Sequence, residues 1–250
     1  MRYLLLLLMC VQLAGCEQDA AAPVDTASSS GQGGSLARFT IVGNFLYTLE
    51  LDRLKWFALA ADGSLTARGE QELSAGKETI FPLDDLLFVG ATDGLSIFQL
   101  AADGSPTLRS EIRHFAACDP VVANERYAYV TLRLESCAGL FRPMTAEDVL
   151  NIYDVQDIQN PTPVASYPMI DPRGLGLAGN ILFLCEGAAG LKVLDVTDPL
   201  AVTTIDFLAN VHANDVIVLP ASLLVIGPQA ILQYDYTDPQ RLKLLSTISL

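Results

Sequence analysis

The chain has 250 residues, of which 51% are hydrophobic and 18% charged, which is enough apolar material for a folded core. This composition excludes a wholly disordered chain. The net charge of −14 leaves no basic surface to offset nucleic-acid phosphates, so we expect no DNA or RNA partner.

The N-terminus has the pattern of an export signal. Arg2 precedes an apolar run at residues 4–11, which is too short to cross ~30 Å of hydrocarbon. The run ends in Leu13-Ala14-Gly15-Cys16, which resembles the lipobox of bacterial lipoproteins. The resemblance implies that residues 1–15 are removed and that Cys16 is lipidated, so that its lipid binds the protein to a membrane. The alternative is an ordinary signal cleaved at a small residue, with Cys16 unmodified.

Residues 16–35 are predicted to be the lipidated cysteine and a flexible tether. Residues 17–35 contain no aromatic side chain and no Lys or Arg, and they end in a Ser/Gly-rich stretch. As a coil, such a stretch reaches ~25 Å. An Asp directly after the lipidated cysteine favours retention in the inner membrane, and this chain has Glu17 there. We therefore expect a lipid-anchored protein of the bacterial cell envelope, with the outer membrane or cell surface favoured.

A unit of about forty residues recurs through the rest of the chain. One apolar row occurs at 54–59, 95–100, 150–155, 191–196 and 231–236, with starts 41, 55, 41 and 40 residues apart. Each row precedes a turn signal such as Asp-Gly, Asn-Pro or Asp-Pro. A second apolar row contains Tyr47, Phe88, Tyr129, Phe183 and Leu224, and it places the extra residues of the third unit at about 134–149.

Each unit has room for four short apolar runs bounded by Gly, Asp, Asn and Pro, without helical periodicity. A period near forty residues with four strands is typical of a β-propeller blade. The sequence therefore predicts an all-β, five-bladed β-propeller of four-stranded antiparallel blades at 36–75, 76–114, 115–168, 169–210 and 211–250. A β-sandwich or a solenoid is the alternative. Because an isolated blade cannot bury its faces, the array should close on itself or dimerise.

Two stretches resemble the LVIVD repeat of bacterial cell-surface propellers, namely residues 191–199 and 150–155. Residues 118–122, 128–133 and 182–185 resemble a lipoprotein branch of that family. The likeness covers about residues 76–250, and Ala58 and Gln99 replace the Asp of the repeat in the first two units. The resemblance implies a propeller fold and says little about function, because propellers have many unrelated activities.

Three cysteines remain after processing, Cys118, Cys137 and Cys185. In an oxidising compartment we expect one disulfide and one spare thiol. A turn near residues 124–126 would bring Cys118 opposite the start of the insertion that contains Cys137, so we predict a Cys118–Cys137 disulfide. The alternative is three buried thiols.

Acidic and basic side chains recur where the innermost strands should begin. These channel-mouth candidates are Glu78, His114, Asp119, Asp171, Arg173, His212 and Asp215. A ring of carboxylates there could bind Ca²⁺ or act in acid/base chemistry, although we predict no resident metal or other cofactor. The alternative is structural, since Asp119-Pro120 and Asp171-Pro172 are good turn formers. The sequence has no nucleophile elbow, phosphate loop or paired-histidine motif, and no catalytic residue is assigned.

The predicted insertion contains Phe141, Arg142 and Met144 in a polar loop. Such side chains serve as interface anchors when exposed, and the alternative is that they pack on the rim of the propeller. The preferred function is a non-catalytic module that binds or scaffolds an envelope protein or glycan. The alternatives are a propeller hydrolase or lyase with an acidic central site, and a purely structural envelope component. Oligomeric state is left open.

Overall fold

The computed structural model describes residues 33–74, 76–92, 94–113, 120–133 and 147–250. Several predictions lie outside this part of the chain, and they concern residues 1–32, Cys16, Cys118, Cys137, His114, Asp119, Phe141, Arg142 and Met144. Within the described part, the secondary structure consists of β-strands and no helix is long and apolar enough to cross a membrane.

The strands form five four-stranded sheets, here called blades 1 to 5. Blade 1 contains β1 (Phe39–Val42), β2 (Phe45–Glu50), β3 (Arg53–Leu59) and β4 (Leu65–Glu72), and blade 2 contains β5 (Lys77–Leu83), β6 (Leu86–Ala91), β7 (Gly94–Leu100) and β8 (Pro106–Arg113). Blade 3 contains β9 (Val121–Ala123), β10 (Tyr127–Leu132), β11 (Val149–Asp154) and β12 (Thr162–Pro168). Blade 4 contains β13 (Leu175–Ala178), β14 (Ile181–Cys185), β15 (Leu191–Asp195) and β16 (Thr203–Leu208), and blade 5 contains β17 (Asp215–Val218), β18 (Leu223–Ile226), β19 (Ala230–Asp235) and β20 (Lys243–Ser249).

Each blade is an antiparallel meander in which strand order follows chain order. The pairing of the third and fourth strands shifts register at one place in every blade, for example between Trp56 and Phe57 in blade 1 and between Val193 and Leu194 in blade 4. A bulge of this kind increases strand twist, which a propeller blade requires. The recurrence of the bulge shows that the repeat extends to backbone geometry.

The first strands of the blades, β1, β5, β9, β13 and β17, are innermost, and successive members lie side by side from β1 to β17. This arrangement is a five-bladed β-propeller and confirms the fold predicted from the forty-residue period. The extra residues of the third unit, 133–148, connect the paired strands β10 and β11.

The core consists of apolar layers between neighbouring blades. Tyr47, Leu54 and Phe98 lie in the layer between blades 1 and 2, and Phe88 and Val130 in the layer between blades 2 and 3. Leu150 and Leu182 lie between blades 3 and 4, and Phe183 and Val216 lie between blades 4 and 5. Both faces of the middle strands of blades 2 to 4 are therefore buried, which explains their continuous apolar sequence.

The Asp residues of the repeated turns act locally. Asp62, Asp103, Asp195 and Asp235 each accept a hydrogen bond from the backbone N–H two residues later, at 2.9–3.0 Å. These bonds and those from the neighbouring hydroxyl groups hold the pKa of each carboxyl below its usual value. The turns are therefore held by side-chain to backbone hydrogen bonds.

Candidate functional site

The inner strands begin around one end of the central channel, here called the channel mouth. An opening of about 130 Å³ lies there, and its walls come from four blades and the segment before β1: Leu36, Glu78, Pro120, Arg133, Pro172, Arg173 and Asn214. The opening forms because each blade presents the residues that precede or begin its first strand, so positions far apart in sequence converge.

Asp171 is the acidic centre of the mouth. Its Oδ2 atom accepts hydrogen bonds from Arg173 Nε at 3.0 Å and Nη2 at 2.8 Å. Its Oδ1 atom lies 3.5 Å from Arg133 Nη1. Two guanidinium groups thus hold one carboxylate, and the side chains of all three residues are 22–33% exposed. The mouth therefore presents a preorganised, partly exposed polar surface.

Arg173 also joins three blades. Its Nη1 donates to Asn214 Oδ1 at 2.7 Å, in the segment that leads into β17. Its carbonyl oxygen accepts a 2.8 Å hydrogen bond from Thr131 of β10, and its N–H donates to the carbonyl oxygen of Cys185 in β14. Arg173 is consequently bonded to both neighbouring blades, to blade 3 through its backbone carbonyl and to blade 5 through its side chain.

Asp215, the first residue of β17, is buried beside the channel. Its Oδ1 atom accepts hydrogen bonds from Ser35 Oγ at 3.3 Å and from Val216 N–H at 2.9 Å, and its Oδ2 atom accepts one from Leu36 N–H at 3.4 Å. Ser35 Oγ in turn accepts a 2.7 Å bond from the N–H of Leu175 in β13. One hydroxyl thus connects the segment before β1 to blades 4 and 5.

Burial raises the pKa of Asp215 to about 6, and the hydrogen bonds from Val216, Leu36 and Ser35 only partly oppose this shift. A carboxyl group with this pKa exchanges protons near neutral pH, which is the property of a general acid or base. Its two oxygen atoms, however, face groups of the protein itself.

The carboxylate of Asp215 fits tightly against two glycines. A Cβ atom at Gly34 would lie 2.1 Å from Asp215 Oδ2, and one at Gly174 would lie 2.1 Å from Asp215 Oδ1. Glycine is therefore needed at both positions because backbone and carboxylate approach so closely.

The opposite end of the channel opens into a larger cavity of about 330 Å³. Its walls include Gly33, Leu83, Asn124, Leu177 and Val218, which lie near the ends of the inner strands or in the segment before β1. Gly33 and Ser35 line this cavity and Leu36 lines the mouth, and a 3.0 Å hydrogen bond from the N–H of Ala37 to the carbonyl oxygen of Gly34 closes a turn there.

The predicted site residues in the described part have different environments. Glu78, Asp171 and Arg173 lie at the mouth, Asp215 is buried beside the channel, and His212 is exposed in the link before β17. In residues 33–74, 76–92, 94–113, 120–133 and 147–250, no three His, Cys, Asp or Glu side chains cluster in a way that could hold a metal ion. The described acids thus do not form the carboxylate ring, because arginines and Ser35 separate them.

Cys185 is buried, and its thiol is free. Burial, with a smaller contribution from Asp215, raises the pKa of the thiol well above its usual value. Cys185 therefore stays protonated and is a poor nucleophile.

Three residues of this region were not predicted as site residues. Ser35 was placed in the tether, yet the structure buries it; Arg133 and Asn214 were assigned no role. Arg133 directly follows β10, and Asn214 directly precedes β17, so both occupy the same end of their blades as the predicted residues. Position at strand ends could have indicated these two, whereas no local pattern distinguishes Ser35 from its serine and glycine neighbours.

No family model and no curated protein matches the chain. Solved propeller structures do resemble it. A Lactobacillus plantarum protein has 18% identity and a TM-score of 0.63, with 82% of this chain and 67% of that chain covered. The periplasmic gluconolactonase of Pseudomonas aeruginosa has 14% identity and a TM-score of 0.61, with 83% and 69% covered.

A functionally unknown protein from Desulfotomaculum acetoxidans has 11% identity and a TM-score of 0.52, with 83% of this chain and 80% of that chain covered. At these identities the likeness concerns the fold alone.

Proposed function

We propose that this chain is a lipid-anchored β-propeller of the bacterial cell envelope that binds a protein or a glycan, without catalysis, through the channel mouth. The observation that carries the proposal is the pairing of Asp171 with Arg133 and Arg173. Since the Asp171 carboxylate is paired with both arginines, this cluster suits recognition by hydrogen bonds better than activation of a nucleophile.

The mouth has the properties of a rigid recognition surface. Arg173 is held by Asp171 and Asn214, which lowers the entropy that its ordering would otherwise cost on binding. Guanidinium edges and the Asn214 amide suit carboxylate, carbonyl and hydroxyl groups, which both peptides and sugars present. Glu78 adds an acceptor on the same rim.

Lipid anchoring is tested by growing the bacterium with an alkyne-bearing fatty acid and following the label on the chain. We expect label on the wild type and none on the Cys16→Ala variant. Equal labelling of both chains, or none on either, would contradict the anchor.

Binding is tested by gentle solubilisation of envelopes and affinity capture of the chain. The wild type should retain a protein or glycan that the Arg133→Ala variant loses, while a surface control, Leu200→Ala, retains it. Leu200 is 71% exposed in a turn of blade 4. No enrichment above a Cys16→Ala chain, or equal capture by the Arg133→Ala variant, would contradict binding through the mouth.

A hydrolase or lyase is the second candidate, and the pKa of about 6 for Asp215 favours it. The gluconolactonase among the similar structures makes lactones a reasonable first substrate class. The test is turnover of lactone, ester and uronide panels by the wild type and the Asp215→Asn variant. Turnover that the variant abolishes would establish this candidate, and no turnover would remove it.

A further inference from the structure

The larger cavity, at the end of the channel opposite the mouth, has apolar sides. Its volume of about 330 Å³ lies within the range of small-molecule sites in proteins. Blades 2 to 5 each contribute an apolar side chain to its wall, and these are Leu83, Val122, Leu177 and Val218. The cavity can therefore cover the apolar part of a small ligand.

Two carboxylates lie at the edge of this cavity. Asp84 is in the turn between β5 and β6, Glu125 is in the turn between β9 and β10, and both residues are exposed. No Lys, Arg or His is among the described residues that line the cavity. Within the same part of the chain, no ion pair includes either carboxylate. The edge of the cavity thus has two negative charges that no described cation offsets.

The polar neighbours of Glu125 have other partners. Arg126, the next residue, has its Nε atom 3.3 Å from Asp154 Oδ2 in blade 3. Asn124 also lines the cavity, but its Oδ1 atom accepts a 2.8 Å hydrogen bond from the N–H of Tyr127. The Glu125 carboxylate is therefore the group of this turn that is left for a ligand.

The turn that contains Asp84 has a glycine at the matching position in two other blades. The two-residue turns that begin at Gly43, Asp84 and Gly179 all place their first residue in the left-handed region, with φ of 56°, 50° and 58°. Glycine adopts this conformation more readily than any residue with a Cβ atom. Gly179 lines the same cavity from blade 4. Blade 2 therefore has a carboxylate at the cavity edge in a position where the backbone itself would favour glycine.

We propose that the larger cavity binds a small organic cation, a protonated amine on an apolar body. The ammonium group lies between Asp84 and Glu125, and the body packs on the apolar walls. An ammonium group has three N–H donors and no acceptor, which suits carboxylate oxygens, and its positive charge complements the two acids. A ligand with its own carboxylate or phosphate would meet like charge at this edge. This site does not include the channel mouth and does not depend on the function proposed for it.

The first experiment compares ligands of matched length by equilibrium dialysis against the purified full chain in detergent, with detergent alone as the blank. Hexylamine should bind at one molecule per chain. We expect 1-hexanol, which lacks the charge, to bind ~10-fold more weakly, and hexanoate to show no binding. Equal binding of hexylamine and 1-hexanol, or binding of hexanoate, would overturn the proposal.

The length of the amine tests the apolar walls. Propylamine has three methylene groups fewer than hexylamine, so it should bind ~10-fold or more weakly. Nα-acetyl-lysine methylamide presents an ammonium group as a partner protein would, on a bulkier polar backbone, and should bind more weakly than hexylamine. Equal affinities of the two alkylamines, or tighter binding of the lysine derivative, would contradict a site for a small apolar amine.

Substitutions at the edge test the two carboxylates. Asp84→Gly removes one charge and gives the turn the residue found in blades 1 and 4, and Glu125→Gln removes the other charge. Each should weaken hexylamine binding by ~5-fold or more. The matched control is Glu72→Gln, which removes one negative charge at an exposed position on β4 and should bind hexylamine like the wild type.

Urea unfolding of the same proteins separates binding from folding. Asp84→Gly should unfold at the same urea concentration as the wild type or a higher one, because glycine fits the left-handed turn. Loss of affinity in a chain of undiminished stability would then be due to the missing carboxylate. Folded Asp84→Gly and Glu125→Gln chains that bind hexylamine as tightly as the wild type, or an equal loss in Glu72→Gln, would overturn the proposed site.

Discussion

Replacing Asp215 by Asn should remove a specific pH dependence of folding. The pKa of Asp215 is raised from 3.8 to about 6 in the folded protein, and the residue is 8% exposed. A difference of two pH units corresponds to about 3 kcal/mol of unfolding free energy. The folded state binds the proton more tightly than the unfolded chain. The stabilisation is therefore complete below about pH 4 and is lost as the pH rises through about 6.

The assay is urea unfolding from pH 4 to 7.5, followed by the fluorescence of Trp56, the only tryptophan of the chain. The turn carboxyls with lowered pKa values titrate below this window, so their contribution is similar in both proteins. The unfolding free energy of the wild type, relative to that of Asp215→Asn, should fall by about 3 kcal/mol from pH 4 to 7.5. Parallel curves for the two proteins would refute the burial of a charged Asp215.

Four further substitutions test other parts of the structure. Glu186→Gln should lower the unfolding free energy by about 3 kcal/mol, because Glu186 is fully buried and its 2.8 Å ion pair with Lys192 is lost. The double variant Glu186→Gln, Lys192→Met should recover part of the lost stability. An unchanged urea midpoint of the Glu186→Gln variant would contradict the reasoning. Arg173→Ala should cost about 2 kcal/mol, because its hydrogen bonds to Asp171 and Asn214 disappear. Arg133→Ala should cost under about 1 kcal/mol, since its contact with Asp171 is 3.5 Å long and partly exposed; equal losses for the two arginines would be inconsistent with this geometry. Gly34→Ala should lower the unfolding free energy by about 2 kcal/mol, because its Cβ atom would overlap the carboxylate of Asp215. The control is Leu36→Ala, at a residue that is 42% exposed, and we expect this variant to be the more stable of the two. A lower thermal unfolding temperature for Leu36→Ala than for Gly34→Ala would contradict the tight fit.

The fold could be predicted because the sequence patterns that specify it are short and recur in every unit. Apolar rows at a forty-residue spacing and Asp-containing turns recur in all five units, and each row became a strand of a blade. The position of the long third unit followed from Tyr129 and Leu150, which keep their places on either side of it.

The channel mouth could be predicted only in part. Asp171 and Arg173 lie at the start of their unit. Because the starts of all five units meet around the channel axis of a propeller, these two residues could be predicted as site residues. The role of Ser35 depends on a carboxylate 180 residues away, and that contact has no local signal. Arg133 of blade 3 pairs with Asp171 at the start of blade 4, and no pattern in the sequence indicated that this arginine and this carboxylate meet.

The most direct test of the central claim is site-specific photo-crosslinking in intact cells. A photoreactive side chain replaces His212, which is exposed two residues before Asn214, or Leu65, which is 50% exposed on β4. If the channel mouth is the binding surface, the probe at position 212 should give a discrete adduct that Arg133→Ala abolishes, and the probe at position 65 should not. Equal adducts at both positions, or an adduct at 212 that persists in the Arg133→Ala chain, would contradict recognition at the mouth.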